Sequence, residues 1–270
     1  MTKLIITALS LTSICIYLFA TAPAELPKQD TGFSNVDRLD VSVMFHAVNA
    51  MNSHARQIYT RDIVGAGKKV GLNFGENWKE DGIEEGPLPA LFLRELAFEL
   101  EKRPEPLGLY LGSSDPINPS NLFTGDTAVD YDSLVKSKKP IFSTLESYGS
   151  LAMFPDFAST PGCVTCHNEH KDSPKTDWKL NDVMGATTWT WPDDEISSDE
   201  IRQILKAEIE ALGDAYQNYL NKASAFDAAP TIGSLWPSSG QFALPDKQAF
   251  VEAVLDAASP EILTLFIEAK

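Results

Sequence analysis

From Val36 to about Val64, apolar residues recur at three- and four-residue steps. Val41, Met44, Val48, Met51, Ala55 and Ile58 carry the period, with charged and amide side chains between them. The pattern predicts one long amphipathic helix. "GAGKK" (65–69) reads as its stop signal. After a loop rich in Gly and Glu, "PLPALFLRELAFELEK" sets Leu91, Leu93, Leu96 and Leu100 along a second helix, with Pro89 in its first turn. "LGLYLG" (107–112), "PIFSTLES" (140–147), "SLAMFPDF" (150–157) and "GATTWTWP" (185–192) read as strands. A short helix is expected over 130–138. The last part changes character. "SSDEIRQILKAEIEALGDAYQNYL" is amphipathic, with Ser198 as the expected N-cap and acidic residues in its first turn. A segment with Pro and Gly (228–244) then leads to two short expected helices. The fold class is α+β: a long N-terminal helix, a mixed body of four or more strands, and a helical C-terminal tail.

The net charge of −16 disfavours nucleic acid and anionic lipid surfaces as partners. It suits a basic protein partner. The N-terminus adds a compartment. "MTK" is a short basic start, Leu4–Ala20 is apolar and uncharged, and "APA" (22–24) matches a small-x-small cleavage site. The expectation is a signal peptide over 1–24 and a periplasmic product. An uncleaved anchor is the alternative. Cys15 lies within the apolar run, so cleavage leaves Cys163 and Cys166 from the three cysteines of the chain. A free thiol pair rarely persists in an oxidising compartment.

Those two cysteines sit in "PGCVTCHNEH" (161–170), beside two of the four histidines. Cys-x-x-Cys-His is the attachment signature of c-type haem. Each thiol adds across one haem vinyl group, and the adjoining His167 falls beneath the iron. Three other readings compete. Zinc on Cys163, Cys166, His167 and His170 has a full ligand count, but four ligands within eight residues are hard to wrap tetrahedrally. A thioredoxin-like redox pair lacks its βαβ context. A plain disulfide fits the compartment.

The run "CVTCHNEHKDSPKTDWKLNDVMGATTW" resembles the c-type haem-binding, PAS-like sensor domain found outside the membrane in bacterial cyclases, histidine kinases and chemoreceptors, and as free-standing exported proteins. "QIYTRDIV" (57–64), "PLPALFLREL" and "DPINPSN" are similar to further segments of that family. The resemblance covers roughly 36–192 and leaves 193–270 as an extension. It implies a five-stranded antiparallel PAS-like sheet with flanking helices and one covalent haem. Cys163 and Cys166 would form the thioethers, with His167 as proximal ligand. The family's Gly-Asp-Val-Arg-Gly stands here as "NDVMG" (181–185). Met184 thus replaces a basic residue suited to a haem propionate.

The far side of the iron has several candidates. On the helical wheel His54 lies at the edge of the apolar stripe, Met51 on it, and His46 nearly opposite, toward solvent. Met184 sits in a loop, and His170 is too near His167 to reach round. The order is His54, then Met51 and Met184, with an open position an equal alternative. That choice separates a gas-binding haem from a closed redox haem. Trp178, Trp189, Trp191, Phe154 and Phe157 are expected to wall the pocket. Lys175 and Lys179 are candidates for the propionates. No Ser-His-Asp order or phosphate loop is present, so no enzymatic chemistry is expected. The reading is an exported monohaem sensor of redox state or a small gas, working through a membrane signalling or redox protein partner. A periplasmic electron-transfer cytochrome is the runner-up, and a haem-stabilised interaction domain the third reading.

Overall fold

The computed structural model describes residues 38–146 and 149–268. The expected signal peptide, Cys15 and the polar leader lie outside the described residues. Among the described residues, no helix is long and apolar enough to cross a membrane.

Strand β1 (Leu39–Asp40) leads directly into α1 (Val41–Ile58). Asp40 caps the helix, its side chain accepting from the Ser42 amide at 2.8 Å. The helix then widens into a π-helical segment (Tyr59–Gly65) before α2 (Ala66–Val70). "GAGKK" therefore does not stop the helix. Gly65 and Gly67 stay helical, and Gly67 lies tight against Phe74 and Leu72. The stop comes at Gly71, whose φ of 101° suits glycine. β2 (Phe74–Gly75) and β3 (Gly86–Pro87) pair in parallel ahead of α3 (Pro89–Leu100).

The main sheet contains β4 (Gly108–Gly112), β5 (Ile141–Leu145), β6 (Gly149–Phe157) and β7 (Val183–Trp191). Its order is β4-β7-β6-β5, antiparallel throughout. Four strands form it, one fewer than the resemblance implies. Gly149 opens β6 at φ 73°, and a Cβ there would fall 2.3 Å from the Pro192 carbonyl oxygen. Between the strands lie α4 (Asp126–Ser137), which starts earlier than expected, and α5 (Pro161–Glu169), which carries the cysteine motif.

Strand alternation separates two cores. Ala152, Phe154, Trp189 and Trp191 join the large core built by α1 and α3. Leu151, Met153 and Ala186, on the other face, pack with Tyr131 and Leu134 of α4. β8 (Glu195–Ile196) pairs with β1 and leads to α6 (Ser198–Ala223). Its N-cap is Ser197, one residue before the expected Ser198, because Ser197 and Glu200 close a capping box. β9 (Thr231–Gly233) and β10 (Ala243–Pro245) pair in parallel. One helix, α7 (Lys247–Glu268), then replaces the two expected. Pro260 removes one backbone donor. Val254 and Ala258 before it, and Ile262 and Phe266 after it, still pack on the large core and hold the helix continuous. α6 and α7 thus share that core with α1, and α7 lies along α1.

Candidate functional site

Thr160 builds the start of α5. Its hydroxyl accepts from the Cys163 amide and lies 3.2 Å from the Cys163 sulfur. Pro161 suits the first turn, where an amide hydrogen has no helical partner. Once the segment is helical, Cys163, Cys166 and His167 stand at i, i+3 and i+4, on one face. Both cysteines are free thiols, Cys163 half-buried and Cys166 exposed. No disulfide joins them. The half-buried His167 keeps a buried Nδ1 without a hydrogen-bond partner.

Asn168 fixes the far end of the helix. Its Nδ2 donates to the Trp178 carbonyl at 3.0 Å, and its Oδ1 accepts from the Trp178 amide at 2.9 Å. This double bond to the returning chain seats Trp178, which is 6% exposed. His170 turns aside. Its Nδ1 accepts from the Asp172 amide and its Nε2 lies 3.2 Å from Glu76. The four zinc candidates are therefore not assembled. Among the described residues, no group of three or more His, Cys, Asp or Glu side chains is arranged to hold a metal ion.

The opposing wall comes from α1. Asn49, Asn52 and Arg56 recur at helical spacing and so line up along one side of α1. The Trp189 indole donates to Asn49 Oδ1 at 3.4 Å. Asn52 is 2% exposed and its Oδ1 is buried without a partner. The Arg56 guanidinium donates through Nη1 to Asp156, which also accepts from the Thr187 hydroxyl at 3.0 Å. Asp156 stands at the irregularity that ends β6–β7 pairing, four residues before the Thr160 cap. Bulges of this kind re-aim side chains beside functional sites.

Charge and burial divide the motif. Burial alone would raise the Cys163 thiol. The Thr160 hydrogen bonds, with the Arg56 charge, outweigh it and hold that thiol below its ordinary value. Burial and Glu76 push the Cys166 thiol up against the opposing Lys68. Burial lowers His167, helped by His170 and Arg56.

The remaining candidates are scattered. Met51 is 2% exposed within the large core. The structure turns His54 toward α7, where its Nε2 lies 3.3 Å from Glu261. It stands two residues before Arg56, about 200° round the helix. His46 is not a solvated surface histidine. Its ring packs against Phe142 and Phe154 with centroids 5.3 and 5.4 Å away, and burial lowers its pKa against an opposing Glu261. Met184 lies at the start of β7, its carbonyl accepting from the Ser113 hydroxyl at 2.7 Å. Trp189 and Trp191 belong to the sheet core, and Phe157 is exposed. Lys175 pairs with Asp177 and lies over the Trp178 ring. Lys179 is exposed. The residues missed from sequence are Arg56, Asn52, Asp156 and Asn168. The spacing of Asn49, Asn52 and Arg56 is the sequence signal for them.

Residues 40–192, more than half of the chain, match the Tll0287-like family. The chain belongs to the Tll0287-like family. The matched region of this Tll0287-like protein runs from the cap of α1 to the end of β7 and includes every site residue described above. No curated protein and no solved structure matches the chain. The donor set within the Tll0287-like region fits a c-type haem. Two free thiols and an imidazole share one helical face, the residue types and spacing that covalent haem attachment uses.

Proposed function

We propose that this is an exported, monohaem c-type protein that senses redox state or a small gas. The observation that carries the reading is the helix α5 itself. It presents Cys163, Cys166 and His167 together, inside the family-matched region, with both thiols free and His170 turned away. Cys163 and Cys166 are the residues that would hold the porphyrin through thioether bonds, and His167 would offer its imidazole to the iron. A bound haem supplies an iron that changes oxidation state or takes up a small ligand. Thr160 and Asn168 fix the two ends of the helix that carries the three residues.

The output runs through α1. It packs on the sheet and on α7, with His54 and Glu261 in contact, and its Arg56 places a charge near Cys163 and His167. A membrane signalling or redox protein relays the signal from the α6–α7 extension. The exposure of Cys166 favours a second reading, a periplasmic electron carrier with an accessible haem edge.

One preparation tests both. The protein is expressed in a host equipped for cytochrome maturation and its denatured chain is weighed. A mass gain of one haem is expected, with ferrous-state uptake of carbon monoxide or nitric oxide. Reversible reduction without ligand uptake transfers support to the carrier. No added porphyrin mass overturns both readings.

A further inference from the structure

We infer that Arg56, braced by Asp156 and Thr187, is the cationic group that receives the carboxylate edge of the porphyrin carried on α5. The inference rests on the haem reading above. A porphyrin held on α5 brings carboxylates with it, and a cation beside the motif would meet them. Lys175 is engaged with Asp177 and the Trp178 ring. Arg56 differs in being anchored. Its Nη1 is tied to Asp156, and Asp156 is itself held by the Thr187 hydroxyl at 3.0 and 3.1 Å. The side chain remains 32% exposed, so it is not sealed within the fold.

A guanidinium held through one nitrogen still offers its other N–H groups in a rigid plane. That geometry matches a carboxylate better than a lysine ammonium does. The anchor also sits at the right place in the chain. Asp156 is the last residue but one of β6, and the Thr160 cap of the motif helix follows four residues later. The next turn of the same α1 face is Asn52, a buried carboxamide whose oxygen has no protein partner. Arg56 is the exposed member of this polar row and the one that a porphyrin's charged edge could reach.

The test uses the matured full chain with Arg56→Gln, Arg56→Lys and the double variant Arg56→Gln/Asp156→Asn. The double variant leaves no unpaired carboxylate and guards against misfolding. Arg61→Gln, whose partner is the neighbouring Asp62, is the control. Intact mass reports attachment, resonance Raman reports the porphyrin propionate bending band, and spectroelectrochemical titration reports the midpoint potential. All variants are expected to carry haem. The propionate band shifts in both Gln variants, the potential of Arg56→Gln falls, Arg56→Lys restores most of the potential and only part of the band, and Arg61→Gln matches wild type. Attached haem with an unmoved band in both Gln variants overturns the role of Arg56 and leaves the haem reading standing. Absence of haem from wild type overturns both.

Discussion

Helix α1 has two faces that obey different rules. One carries Met44, Val48, Met51 and Ala55, all 2% exposed or less, in the large core. The other carries Asn49, Asn52 and Arg56, which meet Trp189, the Asp156–Thr187 pair and the approach to the motif helix. On the first face, packing density is the whole of the chemistry. On the second, a buried amide oxygen stays unpartnered, as does the His167 Nδ1 on α5. Buried polar atoms are seldom left without a partner, and departures from local consistency concentrate at functional sites.

The largest effect is expected at the motif. Cys163→Ala/Cys166→Ala should abolish covalent porphyrin entirely, read as the mass of the denatured chain. Neither thiol belongs to a core cluster, so against the wild-type chain made without haem the same variant should lose little stability, about 0.5 kcal/mol or less per site as for surface changes. A large loss of fold instead would mean that the motif face is structural and that the contrast between the two faces is false.

The apolar face gives the complementary experiment. Met51→Ala should cost about 2–5 kcal/mol in denaturant unfolding. Met51→Leu conserves volume and should cost under about 1.5 kcal/mol. Neither should alter the haem spectrum, because Met51 is in the core. A spectral change in Met51→Leu would make it an iron ligand and move the far-side assignment onto this face.

Much of this was legible in the sequence. The three- and four-residue apolar steps located α1, α3 and α6, and turn residues bounded β5, β6 and β7. The motif residues needed no fold at all, since their chemistry is written in local spacing. What failed was long-range. Gly65 and Gly67 look like a helix stop, yet packing of Gly67 on Phe74 and Leu72 carries the chain on to Gly71. Pro260 looks like a break, yet tertiary contacts on both sides override it. The wheel placed His46 in solvent because it assumed a single buried face, whereas α1 is also covered by the sheet through Phe142 and Phe154. The same assumption hid Arg56.

The extension holds an exception that sharpens the contrast. Glu208 of α6 is 1% exposed, both carboxylate oxygens lack partners, and burial pushes its carboxyl well above the usual range. Because the folded pKa is raised, the unfolded chain releases this proton above about pH 4.3 while the folded chain retains it. Stability is therefore lost as pH rises from there toward the folded pKa. Glu208→Leu should add about 1–3 kcal/mol at pH 7 by removing an unsatisfied buried polar group. The gain should shrink at pH 4, where both states are protonated. Glu208→Gln should flatten the pH dependence with less gain. Denaturant titrations at the two pH values check both. If Glu208→Leu is instead destabilising, the carboxyl has a partner, and an orphaned buried atom loses value as a pointer to a site.

The smallest effect belongs to the clamp between α6 and α7. Asp214 accepts from Lys247 at 2.6 Å and pairs with Arg103 beyond α3. Burial would raise its carboxyl, but these two cations outweigh burial and hold it below the usual value. The sign is opposite to that of Glu208. A depressed folded pKa contributes stability above the unfolded value, about 3.9, and the contribution fades as pH falls through the folded pKa. The side chain is 40% exposed, so solvent screens the pair. Asp214→Asn should cost no more than about 1 kcal/mol at pH 7, with less in high salt. Thermal melts at low and high ionic strength measure it. A salt-independent loss of several kcal/mol would show that the clamp, rather than the shared apolar core, holds the extension in place, and the output path through α1 would then have to pass through Asp214.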